Sequence, residues 1–250
     1  MSKETKKWWD ATSQYYQEDS KIPVDIHYGP GAPHEKVMKL LGNLKGKKVL
    51  EIGCGGAQCG IAMAKKGAIV SGIDISNKQL NFAKNLAEKN KVKVKFYQGD
   101  IKKLTPIKSN SQDLVFTAWA LMYVDDLKSC FKEVYRVLKK GGFFIAAMPH
   151  PFYFIFDHKK MKLNKSYFDV GKQVDEQIWG DGSKHNFVIY NNTVGGIFNK
   201  LTEAGLKVEK IIEPDSRKKH AGDPWYGMWE FNSKMMKYVP PTIIFKRVKK

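Results

Sequence analysis

Cysteine is scarce in this chain of 250 residues: Cys54, Cys59 and Cys130 are the whole set, and no two form a CxxC pair. Three scattered thiols exclude a disulfide framework and a cysteine-built zinc site, so free cysteines and no metal are expected. Long apolar runs are missing as well. Nothing approaches the roughly 18 consecutive residues that a membrane span requires, so integral membrane association is excluded. The opening MSKETKKWWDATSQYY lacks the apolar stretch of a secretory signal, and a cytoplasmic location is expected. Arginine is rare too. Of 43 basic side chains only Arg136, Arg217 and Arg247 carry the planar fork that base-edge and bidentate phosphate recognition favours. The net charge of +18 is spread thinly, each successive fifty residues carrying an excess of +2 to +5. That distribution describes a solvated lysine surface better than a nucleic-acid groove, so nucleic acid is a partner not favoured.

Ten prolines and 21 glycines mark turns without gathering into a linker, and 42% hydrophobic residues can fill one sizeable core. A single domain over 1–250 is expected. Apolar strand patterns fall at Lys47–Ile52, Ala68–Asp74, Val94–Tyr97, Asp113–Ala118 and Phe143–Met148. Helical spacing falls between them at Ile61–Lys66, Asn77–Asn90 and about Leu127–Leu138. Ser76 and Gln79 form a capping box for the second of these helices. Lys139–Gly142 reads as a turn before the fifth strand. Strands alternating with helices require right-handed crossovers and give a doubly wound, mostly parallel α/β sheet. Periodicity then fails from Pro149 to about Tyr190, returns as a helix at Thr193–Ala204 and a strand at Lys207–Ile212, and fails again over Pro214–Val239. A last strand follows at Thr242–Lys246. Long irregular connections of this kind read as lids or binding segments.

The chemistry concentrates after the first strand, in VLEIGCGGAQCG at Val49–Gly60. Gly53, Gly55 and Gly56 permit a tight turn and close approach to a ligand. A dinucleotide fingerprint wants glycine where Gln58 stands. Asp74 ends the second strand, where a carboxylate can accept both hydroxyls of a ribose, and Asp100 follows the third, placed to receive an adenine amine. With Glu51 they put three acids along one sheet edge. That field repels a diphosphate and attracts a cofactor carrying a sulfonium and an ammonium.

These segments resemble the class I S-adenosylmethionine-dependent methyltransferases, in particular the small-molecule, type 11-like group. The matching pieces are Glu51 to Ala57, Gly72 to Ser76, Gln98 to Asp100, Asp113 to Asp126 and Val137 to Gly142. Ala57 departs from the pattern, since many relatives carry a third glycine there. The resemblance implies a three-layer α/β/α fold with a seven-stranded sheet in the order 3-2-1-4-5-7-6, the seventh strand antiparallel. It also implies S-adenosyl-L-methionine as cofactor. Gly53 and Gly55 then pack on its methionine part, Glu51 orders that loop, Asp74 holds the ribose and Ile75 packs on adenine. Asp100 and the Ile101 amide take the adenine edge, and Cys54, Thr117 and Trp119 complete the cofactor-binding set. Trp119 reads equally as pocket wall or core. An N-terminal cap, 1–34, and substrate-side insertions, 149–190 and 214–239, surround this core.

Methyl transfer needs alignment first and a base only for a protonated nucleophile. The [DN]PP[YFW] signature of amine and amide methylation is absent; Thr117 to Ala120 stands there. Nor is there a cysteine pair for attack on a pyrimidine. His150, just beyond the fifth strand, is the first candidate base, with His27 and Tyr28 in the N-terminal cap as further catalytic candidates; each is also readable as a packing or loop residue. His158 and His185 read as exposed. Aromatics outside the motifs, among them Trp8, Trp9, Tyr15, Tyr16, Phe152–Phe156, Trp179, Trp225 and Trp229, can wall a substrate pocket or close the cap's own core. The expected function is transfer of a methyl group to a small-molecule O, N, S or C nucleophile. An RNA-modifying methyltransferase and a catalytically silent cofactor-fold scaffold are the alternatives.

Overall fold

The computed structural model describes residues 1, 3–157, 160–178, 182–217 and 234–249. Its centre is a seven-stranded sheet of β1 (Lys48–Ile52), β2 (Ile69–Asp74), β3 (Val94–Gln98), β4 (Gln112–Ala118), β5 (Leu138–Pro149), β10 (Leu206–Ile212) and β11 (Thr242–Lys249). The strand order is β10-β11-β5-β4-β1-β2-β3. In the order of the sheet's own strands this is 3-2-1-4-5-7-6, as expected. β11 runs antiparallel to both neighbours, β5 and β10, while the other pairs are parallel.

Alternation along the strands sorts side chains into two cores. Leu50, Ile52, Val115, Phe144 and Phe245 pack on one face against α5 (Leu127–Val137) and α6 (Val194–Glu203). Val49, Leu114, Phe116, Ile145 and Ile244 pack on the other against α3 (Gln58–Lys65) and the segment from Ile26 to Leu44, which contains the single-turn α2 (Glu35–Met38). Helix α5 turns Leu127, Cys130, Phe131, Val134 and Val137 inward at helical spacing, and Asp126 caps it by accepting the Ser129 N–H at 3.0 Å.

Helix α4 (Asn77–Lys89) starts as the sequence suggests, with the Ser76 hydroxyl accepting the Gln79 N–H. Only half of the capping box forms. The Ser76 N–H donates to Asp74 Oδ1, and the Gln79 side chain turns elsewhere.

Two expectations need correction. Lys139–Gly142 is not a separate turn but an irregularity inside β5, where the pairing with β4 jumps from Gln112↔Leu138 to Leu114↔Phe143. The stretch 149–190 is not irregular throughout: β8 (Gly171–Ile178) and β9 (Lys184–Asn191) form an in-register antiparallel hairpin. Its periodicity is invisible because GKQVDEQI is polar on both faces, with Val174 and Ile178 exposed. A two-residue ladder of β6 (Phe156–Asp157) and β7 (Lys162–Leu163) precedes it. Of the second insertion, residues 218–233 lie outside the described residues, and so do His158, Trp179, Trp225 and Trp229. No described helix is long and apolar enough to cross a membrane.

Candidate active site

A cavity of about 650 Å³ opens at the carboxyl ends of β1, β2 and β4, where a doubly wound sheet leaves its crevice. Its floor is the turn after β1. Gly53 takes φ +62 and comes so close to Ala120 that an added Cβ would stand 2.2 Å from that residue's Cβ. The turn is stitched to β2 by the Cys54 N–H on Ile73 O (3.1 Å) and the Gly55 N–H on Asp74 Oδ2 (2.9 Å). Ala57, the departure from the glycine pattern, takes up φ +56 as the first cap of α3 without being glycine.

Glu51 and Asp74 both line the cavity and both are buried. Glu51 Oε2 accepts the Gly60 N–H at 2.8 Å. Burial, reinforced by the charge of Asp74, pushes the Glu51 carboxyl up to about 8. Burial also raises Asp74, against the pull of the backbone N–H groups of Ser76, Gly55 and Ile75. The Cys54 and Cys59 thiols, on the same wall, are driven up by burial and stay protonated.

The roof comes from α1 (Lys3–Ser20) and the β8–β9 hairpin. Trp8 meets Phe187 at 5.0 Å, Trp9 meets Tyr123 at 5.4 Å, and Lys172 pairs with Glu4 at 2.8 Å. Polar bonds tie α1 to the floor: the Ser76 hydroxyl donates to Asp10 Oδ1 at 2.7 Å, Gln58 Nε2 to Gln17 Oε1 and Gln17 Nε2 to Gln79 Oε1, both at 2.8 Å.

Trp119 closes one side. A bulky residue at φ +63 is rare, and two hydrogen bonds, one of them to a side chain itself anchored, hold it there. Its N–H donates to Ala147 O (2.8 Å), its indole N–H donates to Thr242 Oγ1 (3.1 Å), and Thr242 in turn donates to Pro30 O (2.7 Å). Trp119 packs on Phe154 and against Gly29, where any Cβ would fall 1.9 Å from Nε1.

Of the residues expected from sequence, the cavity brings together Glu51, Gly53, Cys54, Gly55, Asp74, Trp119 and His27. Burial holds His27 neutral, with its pKa lowered to about 3. Tyr28 is not there. It is fully buried in the core against Phe116, and its hydroxyl donates to Glu35, which also accepts the Leu40 and Leu41 N–H groups. His150 is not there either. Its Nδ1 accepts the Phe152 N–H at 3.1 Å, so Nε2 carries the proton donated to Glu213 Oε1 at 2.7 Å, and neither nitrogen is left to take a proton from an acceptor. Asp100 lies beside the cavity, its Oδ2 capped by the Met1 amino group at 2.5 Å, with Met1 itself lining the wall. Ile101 and Thr117 are buried in the sheet region, and Ile75 is half-buried at the α4 end; none of the three lines the cavity.

Comparison with known proteins decides the family. The model described as methyltransferase domain matches residues 43–205, from the start of the sheet to the end of α6. The chain belongs to this methyltransferase family. A ubiquinone biosynthesis O-methyltransferase of Bordetella avium is 30% identical over 152 residues, 60% of either chain. An uncharacterised methyltransferase, YbaJ, of Bacillus subtilis is 35% identical over 114 residues, 46% of this chain and 45% of that one. The chain thus spans about half the length of these curated relatives. Among solved structures, an S-adenosylmethionine-dependent methyltransferase from Mesorhizobium loti superposes with a TM-score of 0.61 at 20% identity, covering 85% of this chain and 95% of its own.

S-adenosylmethionine is the cofactor this methyltransferase fold implies, and the residues present fit it. The cavity offers two buried carboxylates for a cation and no described lysine or arginine, although the chain carries 43 basic side chains. The acids and glycines were legible in sequence. Gln17, Gln58 and Gln79 were not recognised as lining residues, because glutamine carries no motif signal and the three meet only when α1 folds over the turn.

Proposed function

We propose that this methyltransferase transfers the methyl group of S-adenosylmethionine to a small uncharged or cationic acceptor. The observation that carries this reading is the roofed chamber. Its volume of about 650 Å³ is continuous from Glu51 and Asp74 to an aromatic end walled by Tyr15, Tyr16, Trp119, Tyr123, Phe154 and Phe187. That is a volume for cofactor and a compact acceptor. The O-methyltransferase name of the Bordetella avium relative supports the same chemistry. An anionic acceptor would meet Asp19 and Asp74 and no described lysine or arginine, and the Met1 amino group on that wall is already paired with Asp100.

In this reading the bound cofactor supplies an electrophilic methyl group, and the chain's residues do the rest. Asp74 takes the ribose hydroxyls, the Gly53 turn admits the methionine part, and Glu51 faces its cationic end. The aromatic walls exclude water and orient the acceptor by their faces. The one imidazole on the chamber's described wall, His27, is too weakly basic to take a proton, and the carboxyls of Glu51 and Asp74 are engaged with the cofactor. Catalysis therefore rests on alignment and desolvation of an acceptor that binds in its nucleophilic form or loses its proton to water. The enclosure also disfavours RNA as substrate, because a polynucleotide needs an open, basic channel.

Incubation with methyl-labelled cofactor and separate small-molecule and RNA fractions of a cell extract tests this. Label in the small-molecule fraction alone is expected. Label in RNA overturns the acceptor assignment, and failure to bind S-adenosylhomocysteine overturns the enzyme reading itself.

A further inference from the structure

The three glutamines over the glycine turn form a chain that ends unsatisfied. Gln58 donates to Gln17 and Gln17 to Gln79, and the Gln79 backbone N–H is taken by the Ser76 hydroxyl. Gln79 Nε2 is left with hydrogens but no acceptor among the described residues, in a residue 1% exposed. Buried amide hydrogens are nearly always bonded, so an orphan on a cavity wall points to a group that the cavity receives. Gln79 lines that wall. It stands in the first turn of α4, and its Oε1 lies 3.7 Å from where a Cβ on Gly55 would sit; the Gly55 N–H is the one bonded to Asp74 Oδ2. The Gln79 amide and the Asp74 carboxylate therefore flank the same stretch of cavity floor.

We infer that Gln79 is a cofactor-binding residue that donates its Nε2–H to a ribose hydroxyl oxygen, while the proton of that hydroxyl goes to Asp74. This rests on the reading of Asp74 as the ribose acceptor. A hydroxyl both donates and accepts, and in a closed site a carboxylate satisfies only the first. Asp74 Oδ2 takes the Gly55 N–H and Oδ1 the Ser76 N–H, with the Ile75 N–H also directed at the carboxylate, which keeps a lone pair for the sugar hydroxyl. Gln79 supplies the missing donor. The amide chain runs Gln58, Gln17, Gln79, so the bond that fixes the Gln79 amide comes from α1. Gln17 is thus a positioning residue, and docking of α1 and ribose recognition share one hydrogen-bonded path.

Calorimetry with S-adenosylhomocysteine and its 2′,3′-dideoxy analogue tests the assignment. Wild-type binding of S-adenosylhomocysteine checks the underlying reading of the site, and its absence overturns that reading and this one together. Gln79→Met should weaken S-adenosylhomocysteine roughly 3- to 12-fold and leave the affinity of the dideoxy analogue unchanged, which also shows that the variant is folded. Gln79→Glu, equal in size but without the donor, should show the same ligand-selective loss and serves if the methionine variant does not fold. Gln17→Leu should weaken S-adenosylhomocysteine alone and add nothing in the Gln79→Met background. Equal losses for both ligands, no loss for either, or additive losses in the double variant overturn the inference.

Discussion

Three side chains show how an environment decides what a residue does. Asp74 sits at a strand end with both oxygens engaged by backbone N–H groups, which fixes its carboxylate toward the cavity. Asp74→Ala is expected to weaken S-adenosylhomocysteine binding by about 1.5–3 kcal/mol, the usual loss of a hydrogen bond to a charged group; calorimetry on the folded variant with an unchanged dissociation constant would remove it from the ribose role. Glu51 is raised by burial to about 8 from an ordinary 4.5. A folded-state pKa above the unfolded one gives stability that is full below about 4.5 and is lost as pH rises through 8. The melting temperature of the ligand-free protein should therefore fall between pH 6 and 8.5 more steeply in wild type than in Glu51→Gln. A cationic ligand reverses the shift, so cofactor binding at neutral pH should release protons, seen as a binding enthalpy that varies with the buffer's ionisation enthalpy. His150 is the opposite case. With both ring nitrogens engaged it is a strand-end anchor, and His150→Gln should keep the single-turnover methylation rate within about 3-fold while lowering the melting temperature by a few degrees. A loss on the order of 10²-fold, the scale of a missing base, would return it to catalysis.

Among the elements, the loop carrying Gly29 and Pro30 matters most to the chamber's shape. It is held between the start of β11, through Thr242, and the indole that follows β4. Gly29 has φ +98 and no room for a Cβ beside Trp119. Gly29→Ala combines backbone strain with a steric clash and is expected to cost about 1–3 kcal/mol or to expel the Trp119 side chain. Thermal melts read the first result and tryptophan fluorescence the second. An unaltered melt together with an unaltered spectrum would contradict the close contact. Ala57 shows that the glycine pattern is not absolute: a fully buried alanine holds the same left-handed turn, its methyl packed beside Ile61 and Leu80.

For the whole molecule, the sheet is the rigid part and the roof is the part that ligands act upon. The roof meets the core through aromatic contacts and a few polar bonds, whereas the sheet is sealed by two buried cores. Hydrogen exchange in α1 and in the β8–β9 hairpin is therefore expected to slow when S-adenosylhomocysteine binds, with β1, β4 and β5 unaffected. Equal protection of roof and sheet without ligand, and no response to it, would show a roof that does not open. The charge of +18 belongs to this scale as well. No described lysine or arginine stands on the chamber wall, so the excess of basic side chains governs solubility and weak polyanion contacts more than the site.

Strand and helix order was readable from the chain because it is written locally. Apolar runs in β1 and β2, the Ser76 cap and the inward face of α5 each lie within a few residues, and right-handed crossovers then leave few sheet orders open. The glycine turn and Asp74 were legible for the same reason: backbone freedom and a strand-end carboxylate act on their immediate neighbours. What the tertiary structure alone decided was who partners whom across the fold. His150 meets Glu213, Tyr28 meets Glu35, Trp119 meets Thr242, and Gln17 reaches Gln79. The β8–β9 hairpin escaped the sequence because β8 is polar on both faces and the apolar residues of β9, Phe187 to Tyr190, run together without alternation, and so did the roof it forms with α1. A side chain's type sets which bonds it can make; packing brings up the partner that takes its lone pair or proton, and that partner determines whether a histidine or tyrosine is a base or a brace.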